Sequence, residues 1–435
     1  MPTNMQATVI TEKEVFSLEN GLTVLLENLP GRKSATAGLY NPVGSRFESE
    51  DRMGYSHFVE HMLFKGTERR TYSDISREID RLGGYMNAST SREITSYYIS
   101  ISSRHLPVAL DVLEDIFFHS TFPDKEFEVE KKVILEEIKM GEDSPDDFLF
   151  DCFYKDAFGD NPLGRPIAGT LDSIGQSSRN QLLDHYHDFY GSENTVLSIA
   201  GFLYETEAQK QNLISQIKKQ FENQKSPSKS GFSTLDDSYT VASDKRKYHN
   251  KDLEQAHFAY GLPGLPFDLH HEDRAALQVF THLMGGSMSS RLFRKLREER
   301  GLCYSVGTFH TSYALEGIWG VYCGTSPARL EEAVKVMLDE MEKARSGEIS
   351  DEEIEESKNG IIGIKELQHE SSMKRASYNA QSWLYKGQLI SLEEELSAIE
   401  KVTPEEVKTI ASKLWKGHTG TLTYIGSKEL GNTFT

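Results

Sequence analysis

Hydrophobic and polar positions along the chain follow two different periods. Apolar residues recur with the spacing of strands in residues 23–27 and in ITSYYISIS, residues 94–102. Residues 56–64 and 124–141 instead carry the apolar stripe of amphipathic helices. Strands and helices are therefore mixed along the chain, and the pattern predicts an α+β fold rather than a regular βαβ array.

The same pattern occurs twice. Residues 171–201 align without a gap on residues 396–426, at a constant shift of 225 residues. The stretch SATAGLYNPVGSRFESED (34–51) similarly parallels QAHFAYGLPGLPFDLHHED (255–273), and each is followed by an apolar helix. Because an internal repeat of this length describes a whole folding unit, we infer that the chain contains two homologous halves.

The repeat predicts the domain organisation. The N-terminal domain is expected over residues 1–222 and the C-terminal domain over residues 246–435. Residues 223–245 between them are rich in Ser, Lys and Asp, which is typical of a linker. Each domain is predicted to be a mostly antiparallel sheet packed with helices.

Composition narrows the possible partners and location. Lys and Arg number 48 against 67 Asp and Glu, for a formal net charge of −19. This balance argues against nucleic acid and anionic membranes as partners, because both attract a positive surface. No apolar run approaches the ~20 residues of a membrane span. Without a recognisable signal peptide, and with only three cysteines, the chain is predicted to be cytoplasmic.

The strongest chemical motif lies in GYSHFVEHMLFKGT, residues 54–67, where His57, Glu60 and His61 form the pattern H-x-x-E-H. On a helix, the two histidines lie one turn apart on one face and can share a metal ion. Glu60 lies beside them, where a carboxylate can take a proton from an attacking water. The alternative is a buried amphipathic helix whose histidines only satisfy hydrogen bonds.

A third metal ligand is expected on the helix predicted at 124–141. Its apolar stripe consists of Phe127, Val133, Ile134 and Ile138. Glu130 and Glu137 fall inside this stripe, two turns apart, whereas Glu136 points away from it. Because acids in an apolar stripe need a partner, we predict Glu137 as the third ligand, with Glu130 behind it. Two partly exposed acids at the edge of the stripe are the alternative.

These motifs resemble those of the pitrilysin family of inverzincin peptidases. The likeness includes residues 54–67, the E-x6-E pattern that begins 69 residues after His61, and nearly the whole chain. It implies zinc ligands at His57, His61 and Glu137, with Glu60 as general base and Glu130 as a supporting acid. It also implies that two chains close into a clam-shaped chamber.

The second half has no metal motif, because Leu277, Phe280 and Thr281 take the approximate places of His57, Glu60 and His61. One zinc ion per chain is therefore expected.

This half carries a different pattern, in which Arg297 and Tyr304 match L-R-x-x-x-x-G-x-Y. Spacing alone favours a solvated arginine and a core tyrosine. The resemblance implies instead that the pair holds substrate and stabilises the oxyanion, reaching the zinc site of the facing chain. Both motifs in one chain favour a homodimer over a heterodimer with a related chain.

Residues 83–92, GGYMNASTSR, lead into the strand at 94–102. The resemblance implies an exposed edge on which a peptide lies as an added strand, with Asn87 and Ala88 in contact with it. An ordinary hairpin turn that uses Asn as a turn former is the alternative.

Together these features predict a zinc-dependent endopeptidase that cleaves unfolded peptides inside a dimeric chamber. The alternative is a non-catalytic scaffold or partner subunit of the same fold. Scaffold chains among the family's relatives typically lose a zinc ligand or the base, and this chain retains all of them.

Overall fold

The computed structural model describes residues 12–225, 231–232, 235, 241, 245–267 and 271–430. The strands in this part of the chain are β1 (Glu12–Ser17), β2 (Thr23–Asn28), β3 (Ser34–Asn41), β4 (Tyr85–Thr90), β5 (Thr95–Ser102), β6 (Val196–Gly201), β7 (Lys245–Asn250), β8 (Ala256–Gly264), β9 (Cys303–Ser312), β10 (Gly317–Thr325) and β11 (Thr421–Gly426).

The α-helices are α1 (Tyr55–Met62), α2 (Tyr72–Asp80), α3 (Leu106–Phe118), α4 (Asp124–Asp143), α5 (Pro145–Phe158), α6 (Leu171–Gln176), α7 (Arg179–Phe189), α8 (Glu207–Phe221), α9 (His271–Gly285), α10 (Leu330–Arg345), α11 (Asp351–His369), α12 (Ser372–Lys386), α13 (Leu392–Glu400) and α14 (Pro404–Leu414). A π-helical segment spans Phe293–Glu298.

The two sheets have the same topology. The first has the strand order β1-β2-β6-β3-β5-β4, and the second has the order β7-β11-β8-β10-β9. In each, one parallel pair (β2 with β6, β7 with β11) is followed by three antiparallel pairs. Strand β1 is an additional antiparallel edge on the first sheet. The predicted α+β class, with two mostly antiparallel sheets, is confirmed.

Each sheet is covered by one helix from the other half of the sequence. Helix α12, from the second half, packs on β6, β3 and β2 of the first sheet. Helix α5, from the first half, packs on the equivalent strands β11, β8 and β7 of the second sheet. The two repeats have therefore exchanged one helix reciprocally.

This exchange defines the compact units. The first comprises residues 1–135, 167–235 and 368–389, and the second comprises the remaining residues. The units differ from the sequential domains predicted at 1–222 and 246–435 by the segments around α5 and α12. Much of the predicted linker, 223–245, lies outside the described residues.

Helix α12 is held on the first sheet by both apolar and ionic contacts. Its Ala380 packs in a buried cluster with Leu25, Tyr40 and Val196. Beside this cluster, the buried Glu27 carboxylate accepts hydrogen bonds from Arg375 Nη2 (2.5 Å) and Asn379 Nδ2 (2.8 Å), and Lys13 Nζ lies 3.7 Å from Oε1. A buried carboxylate is tolerated only when it is paired in this way.

Within the described part of the chain, no helix has the length and apolar character needed to cross a membrane.

Candidate metal centre

The residue just before helix α1 is one that only glycine fits. Gly54, before the first turn, has φ +89°, and a Cβ there would lie 2.5 Å from the carbonyl oxygen of Ala168. The buried carboxylate of Glu48 accepts hydrogen bonds from the N–H groups of Gly54 and Ser56, both at 2.7 Å. A carboxylate at this end accepts from backbone N–H groups that would otherwise be unpaired, and its charge interacts favourably with the helix dipole. The start of α1 is therefore fixed.

The two faces of α1 divide by polarity. Its buried residues on one side are Tyr55, Phe58, Val59 and Met62. His57, Glu60 and His61 are half-buried on the other side, and the two imidazole rings lie 4.7 Å apart. Spacing of three and four residues therefore presents both rings and the carboxylate together, as the sequence predicted.

Helix α4 places a buried acid behind His61. Glu130 Oε2 lies 3.0 Å from His61 Nδ1, and its Oε1 lies 2.7 Å from Lys65 Nζ. Glu130 is 5% exposed. Because Nδ1 is engaged by Glu130, the other ring nitrogen of His61, Nε2, is the one suited to a metal.

Glu137 lies two turns after Glu130 on the same helix. Ligand atoms of His57, His61 and Glu137 all lie within 4.8 Å of one another. Among the described residues, this is the one group of three or more His, Cys, Asp or Glu that meets that spacing. The boundary of the first unit falls inside α4, between Glu130 and Glu137. Because α4 is one continuous helix, the position of Glu137 follows from that of Glu130.

The protonation states of these groups fit a metal. Burial, with a smaller effect from the charge on His61, lowers the pKa of His57 to about 4, so its ring is neutral at pH 7. Burial alone would raise the pKa of Glu130, but the hydrogen bonds from His61 and Lys65 outweigh it and hold that pKa below its usual value. A neutral His57 ring and an ionised acid behind His61 suit a catalytic zinc ion.

The apolar stripe of α4 differs at one position from the prediction. Phe127, Ile134 and Ile138 are buried as expected, but Val133 is 39% exposed. Glu136 points away from the stripe, as predicted, and pairs with Lys139 on the surface at 2.7 Å. Val133 lies about 100° around the helix from its neighbour Ile134, so it falls at the edge of the buried face and meets solvent.

Strand β4 lies beside α1 and carries the predicted substrate residues. Among the described strands it pairs with β5 alone, so its other edge is open. Asn87 is exposed and donates from Nδ2 to the Tyr85 hydroxyl at 2.9 Å, whereas Ala88 is half-buried. At the end of the strand, Thr90 Oγ1 donates to Glu60 Oε2 at 2.5 Å. The edge strand therefore ends in contact with the predicted base.

Arg297 and Tyr304 form a pair in the second unit. Arg297 Cζ lies 5.0 Å from the centre of the Tyr304 ring, and Tyr304 is 77% exposed. Between them, Gly301 has φ +58° and donates its N–H to the Arg297 carbonyl at 3.0 Å, which ends the helical segment there. The tyrosine is thus a surface residue with its guanidinium partner beside it, not the core residue that spacing alone favoured.

Comparisons with known proteins show the family to which this chain belongs. Residues 23–171 match the family model "Insulinase (Peptidase family M16)", and residues 177–361 match "Peptidase M16 inactive domain". An uncharacterized zinc protease of Bacillus subtilis is 35% identical over 92% of this chain and 95% of its own length. The chain belongs to peptidase family M16, the pitrilysin family. The inactive-domain match begins after the H-x-x-E-H motif, and residues 177–361 contain no such pattern.

Another relative and a solved structure extend the likeness to nearly the full length. An uncharacterized zinc protease of Rickettsia felis is 32% identical over 96% of this chain and 98% of its own length. A protease from Helicobacter pylori has the same fold, with a TM-score of 0.86 and 23% identity over 96% of this chain and 100% of that one. The likeness to relatives named zinc proteases therefore extends over most of this chain, and the fold is that of a solved protease.

Sequence analysis missed three residues that support the M16 motif: Glu48, Lys65 and Thr90. Lys65 could have been found, because it follows His61 by only four residues and lies just after the end of α1. Glu48 and Thr90 reach α1 through a loop and a sheet edge, and no periodic pattern reports such contacts.

Proposed function

We propose that this protein is a zinc-dependent endopeptidase that cleaves unfolded peptides. The supporting observation is the group formed by His57, His61 and Glu137, with Glu60 on the same helix face as the two histidines. When bound there, zinc would supply Lewis-acid activation of water and of the scissile carbonyl.

The residues of the chain supply the remaining steps. The Glu60 carboxylate takes the proton of the attacking water and returns it to the leaving amine. Glu130 holds His61 in one tautomer through Nδ1. The open edge of β4 offers backbone groups to an extended peptide, with Asn87 and Ala88 beside it. Arg297 and Tyr304 donate to the oxyanion.

The test uses an unstructured basic peptide of roughly 20–30 residues, long enough to extend along a strand edge, with fragments identified by mass spectrometry. We expect internal cuts that disappear with a chelator and in Glu60→Gln, which should keep its zinc. Glu137→Gln should lose both zinc and cleavage. Glu136→Gln, its exposed neighbour, is the matched control and should keep both.

The outcomes separate the endopeptidase from a scaffold. Cleavage that survives in Glu60→Gln would refute the proposed base. A wild-type chain without zinc and without cleavage would instead favour the non-catalytic scaffold or partner subunit. We also propose a cytoplasmic location, which cell fractionation tests.

We further propose that two copies form a homodimer with sites shared between chains, because one chain carries both the metal group and the Arg297–Tyr304 pair. Mixing inactive Glu60→Gln with inactive Tyr304→Phe tests this. Random reassortment should restore about a quarter of the wild-type sites if they are shared. No recovery in a mixture shown by light scattering to be dimeric would place both motifs in one chain's own site.

A further inference from the structure

The hydrogen bond between Thr90 and Glu60 joins two elements that are distant in sequence. Glu60 lies in the second turn of α1, and Thr90 is the last residue of β4. The Thr90 hydroxyl donates to Glu60 Oε2 at 2.5 Å. A hydroxyl that donates to a carboxylate makes a charge-assisted bond, which is shorter and stronger than a neutral one.

The pleat of β4 explains why Thr90 reaches α1. Exposure alternates along the strand, with Tyr85, Asn87 and Ser89 exposed and the residues between them half-buried. Thr90 therefore lies on the same side as Ala88, and β4 packs against α1. Ser89 points the other way, where its hydroxyl lies 2.9 Å from that of Ser96 on β5.

The bond from Thr90 restricts the flexible side chain of Glu60, because threonine itself is conformationally stiff. Glutamate has three rotatable side-chain bonds, whereas threonine is β-branched and has few χ1 choices. Thr90 is also held by the strand ladder, opposite Thr95 of β5. A donor on this rigid base fixes the rotation and position of the Glu60 carboxylate, which proton transfer requires.

We propose that Thr90 is a positioning residue for Glu60 and links it to the edge strand on which a peptide would add. The inference rests on the proposed function, in which Glu60 is the general base. Thr90 acts through Glu60, while Asn87 and Ala88, earlier on the same strand, contact the peptide. Loss of the Thr90 hydroxyl should therefore lower kcat and leave KM nearly unchanged.

The experiment compares three purified full-length variants in the peptide cleavage assay. Thr90→Val keeps the shape and removes the hydroxyl, and its kcat should fall roughly 10- to 100-fold because the base is misplaced. Thr90→Ser should recover most of that loss. Ser89→Ala, which deletes a hydroxyl from the opposite face of the same strand, should stay within about twofold of wild type.

Two readouts are independent of cleavage. Zinc affinity, measured by competition with a chromogenic chelator, should be unchanged in Thr90→Val, because the Thr90 hydroxyl donates to Glu60. The thermal unfolding midpoint should fall by no more than the loss of one charged hydrogen bond, which leaves the protein folded at the assay temperature. A drop in either that accounts for the lost kcat would overturn the proposal in favour of a structural role.

The remaining outcomes also decide the question. A Thr90→Val enzyme with kcat within about twofold of an active wild type refutes the role of Thr90 and leaves the proposed function intact. Thr90→Ser as slow as Thr90→Val refutes it too, because the hydroxyl would then not be the active group. A zinc-loaded wild type that cuts no peptide refutes the proposed function, and the role of Thr90 falls with it.

Discussion

Replacement of Arg375 by alanine should loosen helix α12 from the first sheet. Arg375 Nη2 donates to the Glu27 carboxylate at 2.5 Å, and the two side chains are 12% and 2% exposed. Burial by itself raises the pKa of Glu27, but the bond from Arg375 and the charge on Lys13 hold that pKa below its usual value, so Glu27 is ionised at neutral pH. The variant would leave this buried charge with fewer partners.

The magnitude follows from what remains around Glu27. Removing one partner of a buried ion pair costs about 3–5 kcal/mol. Asn379 still donates at 2.8 Å and Lys13 Nζ lies 3.7 Å away, so the loss is closer to that of one charged hydrogen bond, about 2–3 kcal/mol. At 1.36 kcal/mol for each factor of ten, α12 should open roughly 30- to 160-fold more often.

Amide hydrogen exchange read by mass spectrometry measures this opening directly. Peptides from α12 should exchange faster by that factor, while peptides from α10 in the second unit should not change. Lys374→Ala, which removes an exposed cationic side chain from the same helix, is the matched control and should leave exchange unaffected. If α12 of Arg375→Ala exchanges within about threefold of the wild-type rate, the reasoning is refuted, because the smallest increase expected is about 30-fold.

Two further predictions concern the other ionic contacts. Glu130→Gln should weaken zinc binding roughly 10- to 100-fold, because it alters the partner of His61 Nδ1. Chelator competition measures this, with the exposed Glu128→Gln as control, and unchanged affinity would contradict it. In the second unit, hydrogen bonds with Asp156 and Cys152 raise the pKa of His249 to about 10. Because the pKa of His249 in the folded protein exceeds its ordinary value of 6.5, protonated His249 stabilises the folded state. This contribution is complete below pH 6.5 and is lost as the pH rises through 10. His249→Gln should therefore have a lower Tm than wild type, and this difference in Tm should shrink above pH 10. A difference that stays constant with pH would refute the raised pKa of His249.

Local patterns predicted much of the metal group. His57 and His61 are one turn apart in sequence, so helical geometry alone places them together. Glu130 was found because an acid in an apolar stripe needs a partner, and the structure places it against His61. The roles of these residues in cleavage stay predictions until they are measured.

The long-range contacts could not be predicted in the same way. Amphipathic patterns show that α5 and α12 each cover a sheet, but not which of two equivalent sheets. The bond from Thr90 to Glu60 depends on the distance between a strand end and a helix, which periodicity does not encode. Such contacts are set by tertiary packing rather than by local sequence.

The exchange of helices also sets the order in which the chain can fold during synthesis. When β6 leaves the ribosome, every strand of the first sheet exists, but residues 202–386 must still be added before α12 is complete. At about 5–20 residues per second, that delay is roughly 10 to 40 s. During this time Leu25, Tyr40 and Val196 lack their cover and Glu27 lacks Arg375. The first half of the nascent chain therefore exposes part of its core to solvent until α12 arrives.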